Sequence, residues 1–104
     1  MKPIVMLMAY EVALTAVYQA LSELNLQRPQ KARIPLSADT ELIGNNGVLD
    51  SLDLANLILI TEQRVSEALG IEVDLTEDDP FSSETGHFRT VHTLASHVSR
   101  LVDR

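Results

Sequence analysis

From Ser51 to Leu69 the chain runs without a glycine or a proline, and its apolar residues recur every three or four positions. Gly44-Asn45-Asn46-Gly47 brackets the run in front and Gly70 behind. This pattern predicts an amphipathic helix with glycine at its C′ position, preceded by a flexible loop. Asp50 suits the N-cap, with Asp53 answering three positions on in a capping-box-like pair. Ser51 then falls in the first turn, where free N–H groups and the helix dipole favour negative charge. A phosphate ester on its hydroxyl would sit in that field and still face solvent. At about 100° per residue, Leu54, Leu57, Ile58, Thr61, Val65, Ala68 and Leu69 share one side and form the predicted core face. Leu52, Ala55 and Leu59 fall nearly opposite, beside Ser51, Asn56 and Gln63. Single exposed apolar residues are ordinary. Clustered on one face beside Ser51, these three read as a docking patch.

The rest of the chain is organised around further helices. Leu7, Tyr10, Leu14, Val17, Leu21 and Leu24 recur at steps of three and four and mark one face of a first helix. Leu26 to Gly47 reads as a long connection punctuated by Pro29 and Pro35. Loops of that length are uncommon unless they pack or serve a function. Ile34, Leu36, Leu42 and Ile43 are the expected anchors. After Gly70, Ile71, Val73 and Leu75 alternate with Glu72 and Asp74, which fits an extended connector with inward apolar side chains, since a lone strand has no partner here. Glu77-Asp78-Asp79, Pro80, Phe81 and Gly86 fit a short helix or turn with Phe81 buried. Thr90 caps a last helix whose stripe is Val91, Leu94, Ala95, Val98, Leu101 and Val102. The expectation is an all-α chain: one domain over residues 1–104, a small four-helix bundle with a long first loop and a short third helix.

Composition narrows the partners. Fifteen acidic residues against eight basic ones give a net charge of −7, which disfavours nucleic-acid backbones and anionic membranes and favours basic protein surfaces. Cysteine is absent, so any thiol chemistry must come from a prosthetic group. Two tyrosines and two phenylalanines, with no tryptophan, offer neither a base-stacking platform nor an aromatic cage. Lys2 and the apolar stretch after it look superficially like a signal peptide. Glu11 interrupts that stretch, and a helical period continues where a cleavage site would be, so the cytoplasm is the expected location and no membrane insertion is expected.

Four segments, in order, resemble acyl carrier proteins: P-L-S-A-D-T-E-L at 35–42, G-V-L-D-S-L at 47–52, G-I-E-V at 70–73 and F-R-T-V at 88–91. The resemblance covers most of the chain and implies a four-helix carrier fold, acting as a monomer without catalytic activity of its own. It implies that Ser51, within the triplet Asp50-Ser51-Leu52, accepts 4′-phosphopantetheine from coenzyme A through a magnesium-dependent phosphopantetheinyl transferase. It also implies that Asp53, Ala55, Asn56, Leu59 and Gln63 meet acyl-activating or acyltransferase and ketosynthase-type enzymes with basic docking surfaces. The cargo would be acyl groups held as thioesters in fatty-acid, polyketide or related biosynthesis. An aminoacyl or peptidyl carrier of a nonribosomal pathway is the alternative within the class. From another class comes an acidic helical interaction module whose Asp50-Ser51 is only a cap.

This chain departs from the housekeeping fatty-acid carriers. They place a glutamate five residues after the serine, where this chain has Asn56, and a run of glutamates where it has Glu62-Gln63-Arg64. The helix also reads about one turn longer before Gly70. Fewer carboxylates should retune docking toward a dedicated pathway. A serine-hydrolase reading with His87, His92 or His97 as base lacks the G-x-S-x-G elbow and a preceding strand. His92 and His97 are spaced for different helix faces and do not match a metal motif. The three histidines are expected to face solvent or to pack. Glu77, Asp78 and Asp79 lack the alternating ligands of a calcium loop.

Overall fold

The computed structural model describes residues 2–44, 47–76 and 86–103, with side chains from Met8 onward. Among them are three α-helices, α1 (Lys2–Asn25), α2 (Ser51–Leu69) and α3 (Val91–Val102), a single 3-10 turn at Gln30–Ala32, and no strand beyond an isolated antiparallel bridge between Glu41 and Thr90. The protein is all-α as expected. The short third helix or turn foreseen around Glu77–Phe81 lies outside the described residues, so three helices stand where the sequence pattern predicts four. None of them is long and apolar enough to cross a membrane.

α1 is the central element. Its backbone lies close to both α2 and α3, whereas among the described residues the backbones of α2 and α3 stay apart and meet only through the shared core. A helix gripped from two sides needs a buried face wider than one stripe. Val17 and Leu21 of the predicted stripe are buried, but Tyr10, Leu14 and Leu24 are only half-buried, and the side chain of Leu7 is outside the described set. Ala9, Ala13, Ala16 and Ala20 form the rest of the buried face. Periodicity in large apolar residues found one edge of that face. The alanine row, whose short side chains let neighbouring backbones approach, carried too little hydrophobic weight to be seen.

α2 buries Leu54, Leu57, Ile58, Thr61 and Val65, and ends at Gly70 in the left-handed conformation, φ 68°. Ala68 and Leu69, predicted for the core, are exposed. The last turn of α2 borders an open groove against α1, whose lining includes Glu11, Thr15, Gln19, Arg64 and Ala68. α3 opens with a full capping box, in which Thr90 and Thr93 each bond the other's backbone N–H. It buries Val91, Leu94, Ala95 and Val98 as predicted, while Leu101 and Val102 are half-buried. Phe88, just ahead of α3, is among the largest fully buried side chains.

The long loop is tied down at both ends. The Asn25 side chain accepts from the Ile34 N–H (2.7 Å) and donates to its carbonyl (3.0 Å), which seats buried Ile34 against the end of α1. Further on, the loop supplies carbonyls to the orphan N–H groups at the start of α3: Val91 donates to Thr40 (3.0 Å) and His92 to Ala38 (2.9 Å), while Leu42 donates to Arg89 (2.7 Å). Leu42 is buried and Ile43 half-buried as expected, but Leu36 is exposed. It follows Pro35 and precedes the Ser37–Thr40 turn, whose hydrogen bonds set the backbone there without a side-chain anchor. In residues 71–76 of the connector after Gly70, only Leu75 is fully buried. The Glu62 carboxylate accepts its N–H at 2.8 Å, Val73 is half-buried, and Ile71 turns outward.

Candidate functional site

The approach to α2 is built on backbone. Gly47 donates to the Gly44 carbonyl (3.1 Å) and Leu49 to the Leu42 carbonyl (3.0 Å), so the segment before the helix folds back on Leu42 and Ile43. A Cβ at Gly47 would stand 2.5 Å from Ile43 Cα and 2.8 Å from the Leu42 carbonyl oxygen. The glycine is there because the backbones touch. This cluster reads in the sequence as a flexible loop, and Gly47 is instead one of its tightest contacts.

Asp50 is the N-cap. Its side chain accepts from the Asp53 N–H at 2.8 Å, and its carbonyl accepts from Leu54 at 3.0 Å. The expected reciprocal arm is missing. The Asp53 carboxylate turns away to the Arg28 guanidinium, which also donates to the Ala32 carbonyl at 3.1 Å. An arginine from the long loop offers a charged, two-pronged donor that the Asp50 N–H cannot match. No local pattern reveals this pairing, because Arg28 and Asp53 stand 25 residues apart.

Ser51 is the first residue of α2. Its side chain is exposed, and its hydroxyl has no hydrogen-bond partner among the described residues. Leu52 and Leu59 are 69% and 63% exposed, with exposed Ala55 and Asn56 between them and Gln63 one turn beyond. The structure thus brings Ser51, Leu52, Ala55, Asn56, Leu59 and Gln63 onto one open face. Asp53 borders that face, half-buried in its ion pair. Arg64 is directed away from it: the guanidinium bridges Glu23 of α1 (2.7 Å) and Glu67 (3.0 Å), and these bonds, Glu23 first, hold it firmly protonated.

The histidines belong to the packing. The Tyr10 hydroxyl and His92 Nδ1 share a hydrogen bond of 2.7 Å between α1 and α3, and burial, then Tyr18, raises the Tyr10 phenol above its ordinary range. His87 stacks on buried His97 with ring centroids 3.8 Å apart, and Phe88 meets His97 edge-on. Asp74 accepts from both the hydroxyl and the N–H of Thr76, in that order the causes holding its carboxyl below the usual carboxylate range. No group of three or more metal-ligating side chains forms among the described residues. The residues around Ser51 present an exposed hydroxyl in the positive field of a helix start, flanked by a small apolar strip. Comparison with protein-family models, with curated proteins and with solved structures returns no match to this chain.

Proposed function

We propose that the protein is an acyl carrier protein whose Ser51 holds 4′-phosphopantetheine. The observation that carries this reading is the Ser51 hydroxyl itself, exposed and unbonded at the first position of α2, between a capping aspartate and an exposed leucine. A prosthetic arm needs an attachment point that leaves the fold undisturbed, and this oxygen takes part in no packing. Supporting it, segments singled out by the family resemblance meet in space. The loop at 38–42 bonds the start of α3 at 89–92, and Leu49 of the attachment motif bonds Leu42.

In the loading step the Ser51 oxygen attacks the pantetheine-side phosphorus of coenzyme A. The pyrophosphate P–O bond breaks, 3′,5′-adenosine bisphosphate leaves with magnesium assisting, and a base on the transferase takes the serine proton. The arm supplies a thiol that this cysteine-free chain lacks, and with it thioester chemistry. The chain's own residues orient and present the arm. Asp50 fixes the first turn, the unpaired N–H groups of that turn favour the phosphodiester charge, and Leu52, Ala55 and Leu59 give partner enzymes an apolar surface beside the arm. In this reading the fold is the four-helix carrier type, the partners are a transferase and acyl-handling enzymes, and the cytoplasm is the compartment.

Intact-mass analysis tests it after incubation with coenzyme A, magnesium and a broad-range phosphopantetheinyl transferase. The wild type should gain one phosphopantetheinyl group, and Ser51→Ala should gain none while keeping its helical spectrum. An unmodified wild type would leave the acidic interaction module as the better reading. Loading followed by selective acylation with an amino acid would point to the nonribosomal alternative.

A further inference from the structure

The row of exposed side chains that begins beside Ser51 runs into a groove. Leu52, Ala55, Leu59, Gln63 and Ser66 follow one another at steps of three or four, so they form a single line down α2. Gln63 and Ser66, together with Glu62, also line a groove of about 600 Å³, to which the connector contributes Glu72, Val73 and Asp74 and α3 contributes Leu101. That volume falls within the range of about 300–1,000 Å³ that small molecules occupy in proteins. Glu62 stands about 16 Å and Gln63 about 18 Å along the helix axis from Ser51. A phosphopantetheine arm has about fourteen bonds between the serine oxygen and its sulfur, and an extended chain advances about 3.3–3.6 Å for every three bonds, which gives a reach of about 16 Å. The sulfur of an arm laid along the row would thus arrive at the edge of the groove. A group joined to that sulfur would lie inside it.

We infer that the row from Leu52 to Gln63 seats the arm and that the groove takes its cargo, a short acyl group bearing a hydrogen-bond donor, hydroxyl or ammonium, close to the thioester. The inference rests on the carrier reading of Ser51 and adds the class of cargo. Leu52, Ala55 and Leu59 offer apolar surface to the arm's dimethyl carbon, and the exposed Asn56 and Gln63 side chains offer partners to its amides. The groove is rich in acceptors, and among the described residues no lysine or arginine lines it. Exposed Glu72 and Asp74 and half-buried Glu62 and Ser66 supply the oxygens. Glu62 gives one oxygen to the Leu75 N–H and Asp74 gives one to Thr76, which leaves each carboxylate a further oxygen that can accept from a cargo donor. An alkyl chain in the same place would take water from those carboxylates and gain only Val73 and Leu101 in return. Among the described residues the carboxylates do not converge as metal ligands, so the groove suits an organic donor better than a bound metal ion.

The test reads backbone amide resonances of the isotope-labelled protein at neutral pH. A broad-range transferase loads it from coenzyme A, or from non-hydrolysable amide analogues carrying butanoyl, β-hydroxybutanoyl or β-aminobutanoyl groups, each loading verified by mass. The bare arm should move the amides of Leu52, Ala55 and Leu59. The hydroxy and amino cargoes should move those of Gln63, Ser66, Val73 and Asp74 roughly fivefold farther than butanoyl does, the ratio in groove occupancy that one net hydrogen bond gives. Glu72→Gln with Asp74→Asn should cut the response to the amino cargo more than that to the hydroxy cargo, since carboxamide oxygens still accept but carry no charge. Shifts confined to the neighbours of Ser51 with every cargo, a groove response to butanoyl equal to the others, or an unchanged response in the double variant overturns the inference and leaves the carrier reading standing. Failure of the wild type to load, seen by mass beforehand, removes the carrier reading and this inference with it.

Discussion

Replacing Gly47 by alanine adds one methyl group at the point where two backbone segments touch. The new Cβ would lie 2.5 Å from Ile43 Cα, 2.6 Å from the Ile43 carbonyl carbon and 2.8 Å from the Leu42 carbonyl oxygen. Carbon atoms sit comfortably about 3.5–4.0 Å apart, so the segments must separate by about 1 Å. All three atoms are backbone, and no rotamer change relieves the clash. Leu42 has little freedom to yield, since it is fully buried and its amide and carbonyl are bonded to Arg89 and Leu49. Overpacking of this kind costs about 1–3 kcal/mol, and losing the Leu49–Leu42 bond adds about 1 kcal/mol. Reduced unfolded-chain entropy returns about 0.4–1 kcal/mol. Gly47→Ala should therefore lose about 2 kcal/mol, roughly a thirtyfold shift in the folding equilibrium. A urea titration reads it as a lower midpoint at unchanged slope. On the proposed carrier function, transfer of phosphopantetheine to Ser51 should slow as well, because the displaced segment leads into the first turn of α2. An alanine variant as stable as the wild type would show that the close approach at Gly47 does not constrain the fold.

Two further outcomes follow from α2. Leu57→Ala, at a fully buried position, should cost about 2–5 kcal/mol, whereas Leu59→Ala, 63% exposed, should cost well under about 1 kcal/mol; denaturant melts in the reverse order would refute the assignment of helix faces. The Thr61 hydroxyl is fully buried with no hydrogen-bond partner among the described residues, so Thr61→Val should raise stability by about 1–3 kcal/mol. A thermal melt showing destabilisation would mean that the hydroxyl is bonded in solution.

What the sequence revealed follows the range of the interactions concerned. α2, its glycine stop, its Asp50 cap and the exposure of Leu52, Ala55 and Leu59 all depend on spacing within a few turns, which local periodicity records. The alanine row of α1 escaped because burial there is set by two neighbouring helices and not by side-chain size. Leu36, Ile71, Ala68 and Leu69 were read as buried because they are apolar, yet the hydrogen-bonded turn from Pro35 to Thr40 around Leu36 and a groove beside Ala68 leave them outside. Arg28–Asp53 and Arg64–Glu23 join residues far apart in the chain, which local spacing does not record. The candidate attachment residue was legible in the sequence. The Arg28–Asp53 pair two residues from it required the fold.

The hydrogen bonds between the long loop and the start of α3 bear on how fast the chain finds this structure. Leu42, Thr40 and Ala38 reach Arg89, Val91 and His92, roughly fifty residues away in sequence, and Tyr10 reaches His92 across 82. A 12-residue helix such as α3 is marginal by itself in water, and here its first turn is completed by carbonyls from the other half of the chain. Closing so long a segment takes entropy that local helix formation does not repay, so α3 can become secure only after α1, the loop and the chain beyond α2 have come together. Folding should accordingly be slower than for a bundle of equal size with short connections, with the docking of α3 among the last events.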